Sequence, residues 1–104
     1  MRVVALVSDL MDRSRISASV PSVTFVGDVD GTTDAEIIVI DLARHGRAVA
    51  EVRRLAPDAV IVAFGSHVDE DRLWAAEAAG ADRVLPRSRF FRDPAAALAP
   101  GDGP

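Results

Sequence analysis

Four consecutive β-branched residues, Ile37, Ile38, Val39 and Ile40, run without a polar interruption and end on a carboxylate, Asp41. An unbroken apolar run of this length, bounded by polar residues, is the pattern of a strand covered on both faces. Such strands belong to parallel sheets with helices above and below. Asp41 then lies at the carboxyl end of its strand, where open α/β sheets carry ligands and chemistry.

The rest of the chain supplies strands on either side of this one. Residues 2–7 read as a first strand, ending at Ser8 and Asp9. Residues 12–19 read as a helix, with Ile16 and Val20 four apart, stopped by Pro21. Residues 23–26 form a short second strand closed by Gly27. Residues 28–35 (DVDGTTDA) are turn chemistry, with room for one helical turn but not for a full crossover helix. Residues 47–55 place Val49, Val52 and Leu55 on one face of an amphipathic helix that stops at Pro57. Residues 60–64 are a second buried strand, followed by the loop Gly65, Ser66, His67. Asp69 is placed to cap a helix that runs to about Ala79 and stops at Gly80. Residues 82–85 are a short last strand ended by Pro86. Residues 87–92 read as a basic loop holding Phe90 and Phe91, and Asp93-Pro94 opens a final short helix as N-cap and first helical residue.

Strands and helices thus alternate five times, one helix being vestigial, which implies right-handed crossovers and a parallel sheet. The expected architecture is a single flavodoxin-like, doubly wound α/β domain with strand order 2-1-3-4-5 and a shortened or missing second helix. In that order the first and third strands are central neighbours, and Asp9 and Asp41 project into one crevice. Residues 1–99 are read as one domain and 100–104 as a frayed tail.

Composition narrows the function. The 104 residues are 49% hydrophobic, enough for one globular core. No apolar run approaches the roughly 20 residues needed to span a bilayer. The N-terminus lacks the long apolar region of a secretory signal, so the expected location is the cytoplasm. The absence of cysteine excludes disulfides, thiolate catalysis and cysteine metal sites. All twelve basic residues are Arg, which excludes lysine Schiff bases and Walker-type phosphate loops. A net charge of −4 argues against nucleic acid as a partner.

The stretches VVALVSD, IIVIDL and EDRLWAAEAAGADRVL, in this order and spacing, resemble the receiver domain of bacterial response regulators over nearly the whole length. The resemblance implies a phosphoryl-accepting Asp after the third strand and two acids after the first that hold Mg²⁺. It also implies a Ser or Thr after the fourth strand and a Lys after the fifth, both contacting the phosphate. Phosphorylation adds about −1.5 to −2 charges, which those groups must answer. Asp41 falls on the phosphoacceptor position and Asp9 on one Mg²⁺ acid. Ser8 takes the place of the other acid; Asp12 is close enough to reach in, or to cap the first helix instead. Phe64, Gly65 or Ser66 falls on the Ser/Thr position, and only Ser66 has the chemistry. Arg87 replaces the Lys and is followed by Ser88 where Pro is usual; it keeps the charge but not the shape. The chain therefore resembles an atypical receiver.

Each candidate has a plainer alternative. Asp41 is a phosphoacceptor or a strand-end carboxylate capping the next turn. Ser66, His67 and Asp41 suggest a triad, but no G-x-S-x-G elbow is present; His67 more simply packs near the site. His45, His67, Asp9 and Asp41 match no known ligand spacing for a metal. Arg87, Arg89 and Arg92 with Phe90 and Phe91 form the one basic and aromatic cluster. Its arginines could neutralise Asp9 and Asp41 in a permanently satisfied pocket. Helix phase puts Leu73, Ala76 and Ala79 toward the sheet and Trp74 at the boundary, where a Trp is often a contact anchor.

These readings converge on a non-enzymatic signalling or interaction module of pseudo-receiver type, with no cofactor and no attached output domain. Its expected partner is a protein or a second copy, docked on the face of the fourth helix, fifth strand and fifth helix through Trp74, Arg87, Arg89, Phe90 and Phe91. The second reading is a working single-domain receiver phosphorylated on Asp41, with Mg²⁺ at Asp9 and Asp41 and a pocket of Ser8, Asp12, Ser66, His67 and Arg87. A small hydrolase or nucleotide-binding enzyme is a third class, for which no glycine-rich loop or complete triad is visible.

Overall fold

The computed structural model describes residues 1–100; the tail expected to fray lies, from residue 101, outside the described residues. Five parallel strands, β1 (Val3–Leu6), β2 (Thr24–Phe25), β3 (Ile37–Asp41), β4 (Val60–Gly65) and β5 (Arg83–Pro86), form one sheet in the order β2-β1-β3-β4-β5. This is the doubly wound order expected from the alternation of elements. All five residues of β3 are buried, as its apolar run requires.

Alternate side chains of the strands feed two separate cores. On one face Val4, Leu6, Ile38, Ile40 and Ile61 pack against α2 (Leu42–His45), α3 (Val49–Leu55) and α4 (Glu70–Ala79) through Leu42, Val49, Val52 and Ala76. On the other, Ala5, Val39, Val62 and Phe64 pack against α1 (Leu10–Ser19), α5 (Arg87–Arg92) and α6 (Pro94–Leu98) through Ile16, Phe90, Phe91 and Leu98. Between β2 and β3 the chain makes only a 3-10 turn, Val29–Thr32, so the second crossover helix is reduced to one turn.

Several boundaries differ from the sequence reading for local reasons. The first helix starts at Leu10, because Asp9 takes the N-cap position and its carboxylate accepts from the Asp12 backbone N–H. Asp12 is therefore not the cap. The segment read as a basic loop, residues 87–92, is helical and buries both of its phenylalanines. Asp69 precedes α4 but makes no side-chain cap and pairs with Arg72 at 3.2 Å instead. Asp93 does cap α6, accepting from Ala96 N, with Pro94 as its first residue. Gly80 ends α4 at φ +117°, a conformation that favours glycine.

Candidate functional site

The carboxyl edge of the sheet gathers the acidic groups. Asp41 is only 3% exposed and its Oδ1 accepts from Ala43 N, which caps the α2 turn. Asp9, at the end of β1, is exposed and caps α1. Asp12, one turn into α1, is buried and faces Arg87 at the start of α5. The guanidinium holds both oxygens of Asp12, at 2.7 and 3.1 Å, in a bidentate pair. Its plane also lies over the rings of Phe64 and Phe91, 5.4 and 5.1 Å from their centroids. Arg87 is held above its ordinary pKa, first by the hydrogen bond to Asp12; the Asp41 and Asp9 charges add to this, and burial opposes it. One cation thus serves three carboxylates and is committed to Asp12.

Two further pairings occupy the rim. Ser8 Oγ lies 2.9 Å from His45 Nε2, joining the β1 end to the α2 turn. Phe64 is the register partner of Asp41 on the neighbouring strand. Its ring stacks on Phe90 at 4.7 Å and meets Phe91 edge-on at 5.0 Å. The residue beside Asp41 is therefore a core aromatic, while Ser66 lies beyond the strand end, exposed, its Oγ accepting from Val68 N at 3.4 Å. His67 is exposed in the same turn.

No protein-family model and no curated protein sequence matches the chain. Solved structures do match it. A response regulator protein from Burkholderia pseudomallei, with a phosphorylated aspartic acid, calcium ion and citrate, aligns over 93% of this chain at 17% identity and TM-score 0.79. The chain spans 65% of that protein's length. The CheY-like protein TadZ from Pseudomonas aeruginosa aligns over 85% of this chain and 87% of its own, at 22% identity and TM-score 0.70. A putative CpaE2 pilus assembly protein from Sinorhizobium meliloti aligns over 94% and 97%, at 14% identity and TM-score 0.70. The fold is that of a response-regulator receiver.

Set on the receiver fold, the predicted residues divide into two groups. Asp9, Asp12 and Asp41 lie near enough to Arg87 for their charges to act on it, though only Asp12 pairs with it, and Ser8 and His45 pair at the sheet's carboxyl edge. Ser66 and His67 lie on the exposed turn after β4 and form no hydrogen bond with Asp41, whose Oδ1 accepts from Ala43 N, so the hydrogen-bonded triad Ser66, His67, Asp41 is not present. The expected contact surface is corrected in part. Phe90 and Phe91 are core residues, buried against Phe64, and present nothing to a partner. Trp74 stands 70% exposed on α4, further out than the boundary position expected, and Arg89 is exposed on α5. Sequence reasoning missed the Ser8–His45 and Asp12–Arg87 pairs, which join residues 37 and 75 positions apart with no local pattern to announce them.

Receivers of this kind imply a divalent cation beside the phosphoacceptor. Among the described residues no three of His, Asp or Glu stand together as a ligand set. Asp12 is engaged by Arg87 and Ser8 by His45, which leaves Asp9 and Asp41. Mg²⁺ is commonly held by one or two carboxylates, with water filling the rest of its octahedron. Asp9 and Asp41 are the groups that would hold one here, without help from Asp12, which is engaged by Arg87.

Proposed function

We propose that the chain is a non-enzymatic signalling or interaction module, a receiver fold that acts through protein contacts and is not switched by phosphorylation of Asp41. The Arg87–Asp12 pair carries this reading. The cation that would answer a phosphoryl group is already held by two hydrogen bonds, of 2.7 and 3.1 Å, to a buried carboxylate. Phe64 beside Asp41 removes the hydroxyl a phosphoryl group would draw in, and Ser8 with His45 fills the second acid's place. Solved structures of this fold include a pilus assembly protein, so the fold does not by itself imply a phosphorelay. No helix among the described residues is long and apolar enough to cross a membrane, and the proposed location is the cytoplasm. The proposed contact surface is α4, β5 and α5, with Trp74 exposed on α4 and Arg89 exposed on α5.

The test is intact mass after incubation with Mg²⁺ and acetyl phosphate, for the wild type and Asp41→Asn. An unchanged mass in a folded protein is the expected result. A gain of one phosphoryl group that vanishes in Asp41→Asn would make the chain a working receiver, phosphorylated on Asp41, and overturn the proposal.

A further inference from the structure

A further concavity adjoins the α2 turn that Asp41 caps. It is a groove of about 680 Å³ between α2 and α3 on one wall and α4 on the other. That volume lies within the range of small-molecule sites. Its apolar lining is Leu42 and the short side chains of alanines on all three helices. Its walls are charged. Arg44 and Arg47 line one side, and Arg72 with Asp69 and Asp71 lines the other.

The pairing of these charges is uneven. Arg72 is satisfied by Asp69. Arg44, Arg47 and Asp71 form no ion pair among the described residues, although cations and carboxylate line the same groove. Three arginines against two aspartates make the groove a positive spot on a chain of net charge −4. Two guanidiniums without an ion pair beside an apolar lining suit a phosphate attached to a flat ring, since guanidinium forks bind phosphate oxygens. A free carboxylate on the facing wall accepts only, so it selects a ring edge with adjacent N–H donors. Guanine has such an edge, a ring N–H beside an amino group. Adenine offers an amino group beside an acceptor.

We propose that the groove between α2–α3 and α4 binds a guanine nucleotide, with Arg44 and Arg47 on the phosphate and Asp71 on the base edge. Binding there is independent of whether Asp41 accepts a phosphoryl group. It rests against the turn that Asp41 caps, which gives the module an input that needs no phosphotransfer.

The experiment is isothermal titration of the full chain with GMP, and with AMP and inorganic phosphate as comparisons. GMP is expected to bind more tightly than either. Arg44→Ala with Arg47→Ala should weaken GMP about tenfold or more, the loss expected on removing charge-assisted hydrogen bonds. Asp71→Asn should erase the preference for GMP over AMP. All three side chains are exposed, and matching thermal melts of the unliganded variants will show that the fold is kept; a variant that melts early is replaced by Gln at the same positions. No heat of binding with GMP at millimolar concentration, equal affinity for GMP and AMP, or an arginine double variant that binds like wild type would each overturn the proposal.

Discussion

Arg87 Nη2 lies 2.7 Å from Asp12 Oδ1, and the pair ties the start of α5 to the first turn of α1 across the carboxyl edge of the sheet. The acid is buried and the cation only partly so. Removing Arg87 would strand a buried carboxylate, whereas removing both charges would strand nothing. Arg87→Met is therefore expected to destabilise by about 1–3 kcal/mol, less than for a fully buried pair because water reaches the guanidinium. Arg87→Met with Asp12→Leu should recover most of that loss. Urea denaturation of the two variants checks it.

The same pair sets a pH expectation. Arg87 is raised above its ordinary pKa, chiefly by the hydrogen bond to Asp12. A cation with a raised folded pKa contributes stability that is complete below its unfolded value and is lost only as pH rises through the folded one. For an arginine that window lies above any pH at which the protein is handled. The stability difference between wild type and Arg87→Met should thus stay constant from pH 7 to about 10. A difference that fades across that range would mean the pair is not formed in solution.

The aromatic group beside Asp41 can be tested by restoring the hydroxyl that the receiver resemblance implies. Phe64→Thr puts a hydroxyl at the register partner of Asp41 but removes a ring that stacks on Phe90 and meets Phe91 edge-on. Loss of a fully buried Phe costs about 3–5 kcal/mol, so the variant should unfold at much lower denaturant. It should not gain phosphoryl acceptance, because Arg87 remains on Asp12. Circular dichroism melts and intact mass read the two outcomes separately.

Trp74 gives a contrast between stability and contact. At 70% exposure its ring adds little to the core, and Trp74→Ala is expected to change stability by no more than about 0.5 kcal/mol. If α4, β5 and α5 form the contact surface, the same change should weaken self-association or partner binding, read as a fall in oligomer mass by light scattering or in partner affinity. An unchanged assembly would move the contact surface elsewhere.

The strand skeleton was legible because burial on both faces writes itself into sequence as unbroken β-branched runs. Ile37 to Ile40 and the matching run in β4 fixed the sheet, and the alternation of elements fixed its order. Local stops were legible for the same reason: Gly80 and Asp93-Pro94 act on their own few residues. The candidate site was legible only in part. Asp9 and Asp41 sit at strand ends, so periodicity located them. The partner of Asp12 lies 75 residues away and depends on where α5 settles. RSRFFR reads as a basic loop holding two phenylalanines, yet it is helical. They are both buried because Phe64 offers one ring a face and the other an edge.

Gly80 and Arg53 show how a helix stop and a long side chain lock one another. Gly80 adopts φ +117°, and a Cβ placed there would lie 2.7 Å from Arg53 Cδ and 2.8 Å from its Cγ. Arg53 cannot easily retreat. Its guanidinium donates to the carbonyls of Gly80, Ala56, Pro57 and Ala59 and pairs with Asp82. It thereby holds together the end of α3, the entry to β4 and the turn into β5. Gly80→Ala is expected to destabilise by about 2–4 kcal/mol, from left-handed strain of about 1–2 kcal/mol plus the hydrogen bonds lost when Arg53 is displaced. In an Arg53→Ala background the two closest contacts, to Cδ and Cγ, disappear and only the one to Cβ at 3.2 Å remains, so Gly80→Ala should cost little more than the strain. A double-mutant cycle read by urea denaturation therefore predicts that the two substitutions together cost less than their sum. Strict additivity would mean that Arg53 does not pack over Gly80 in solution.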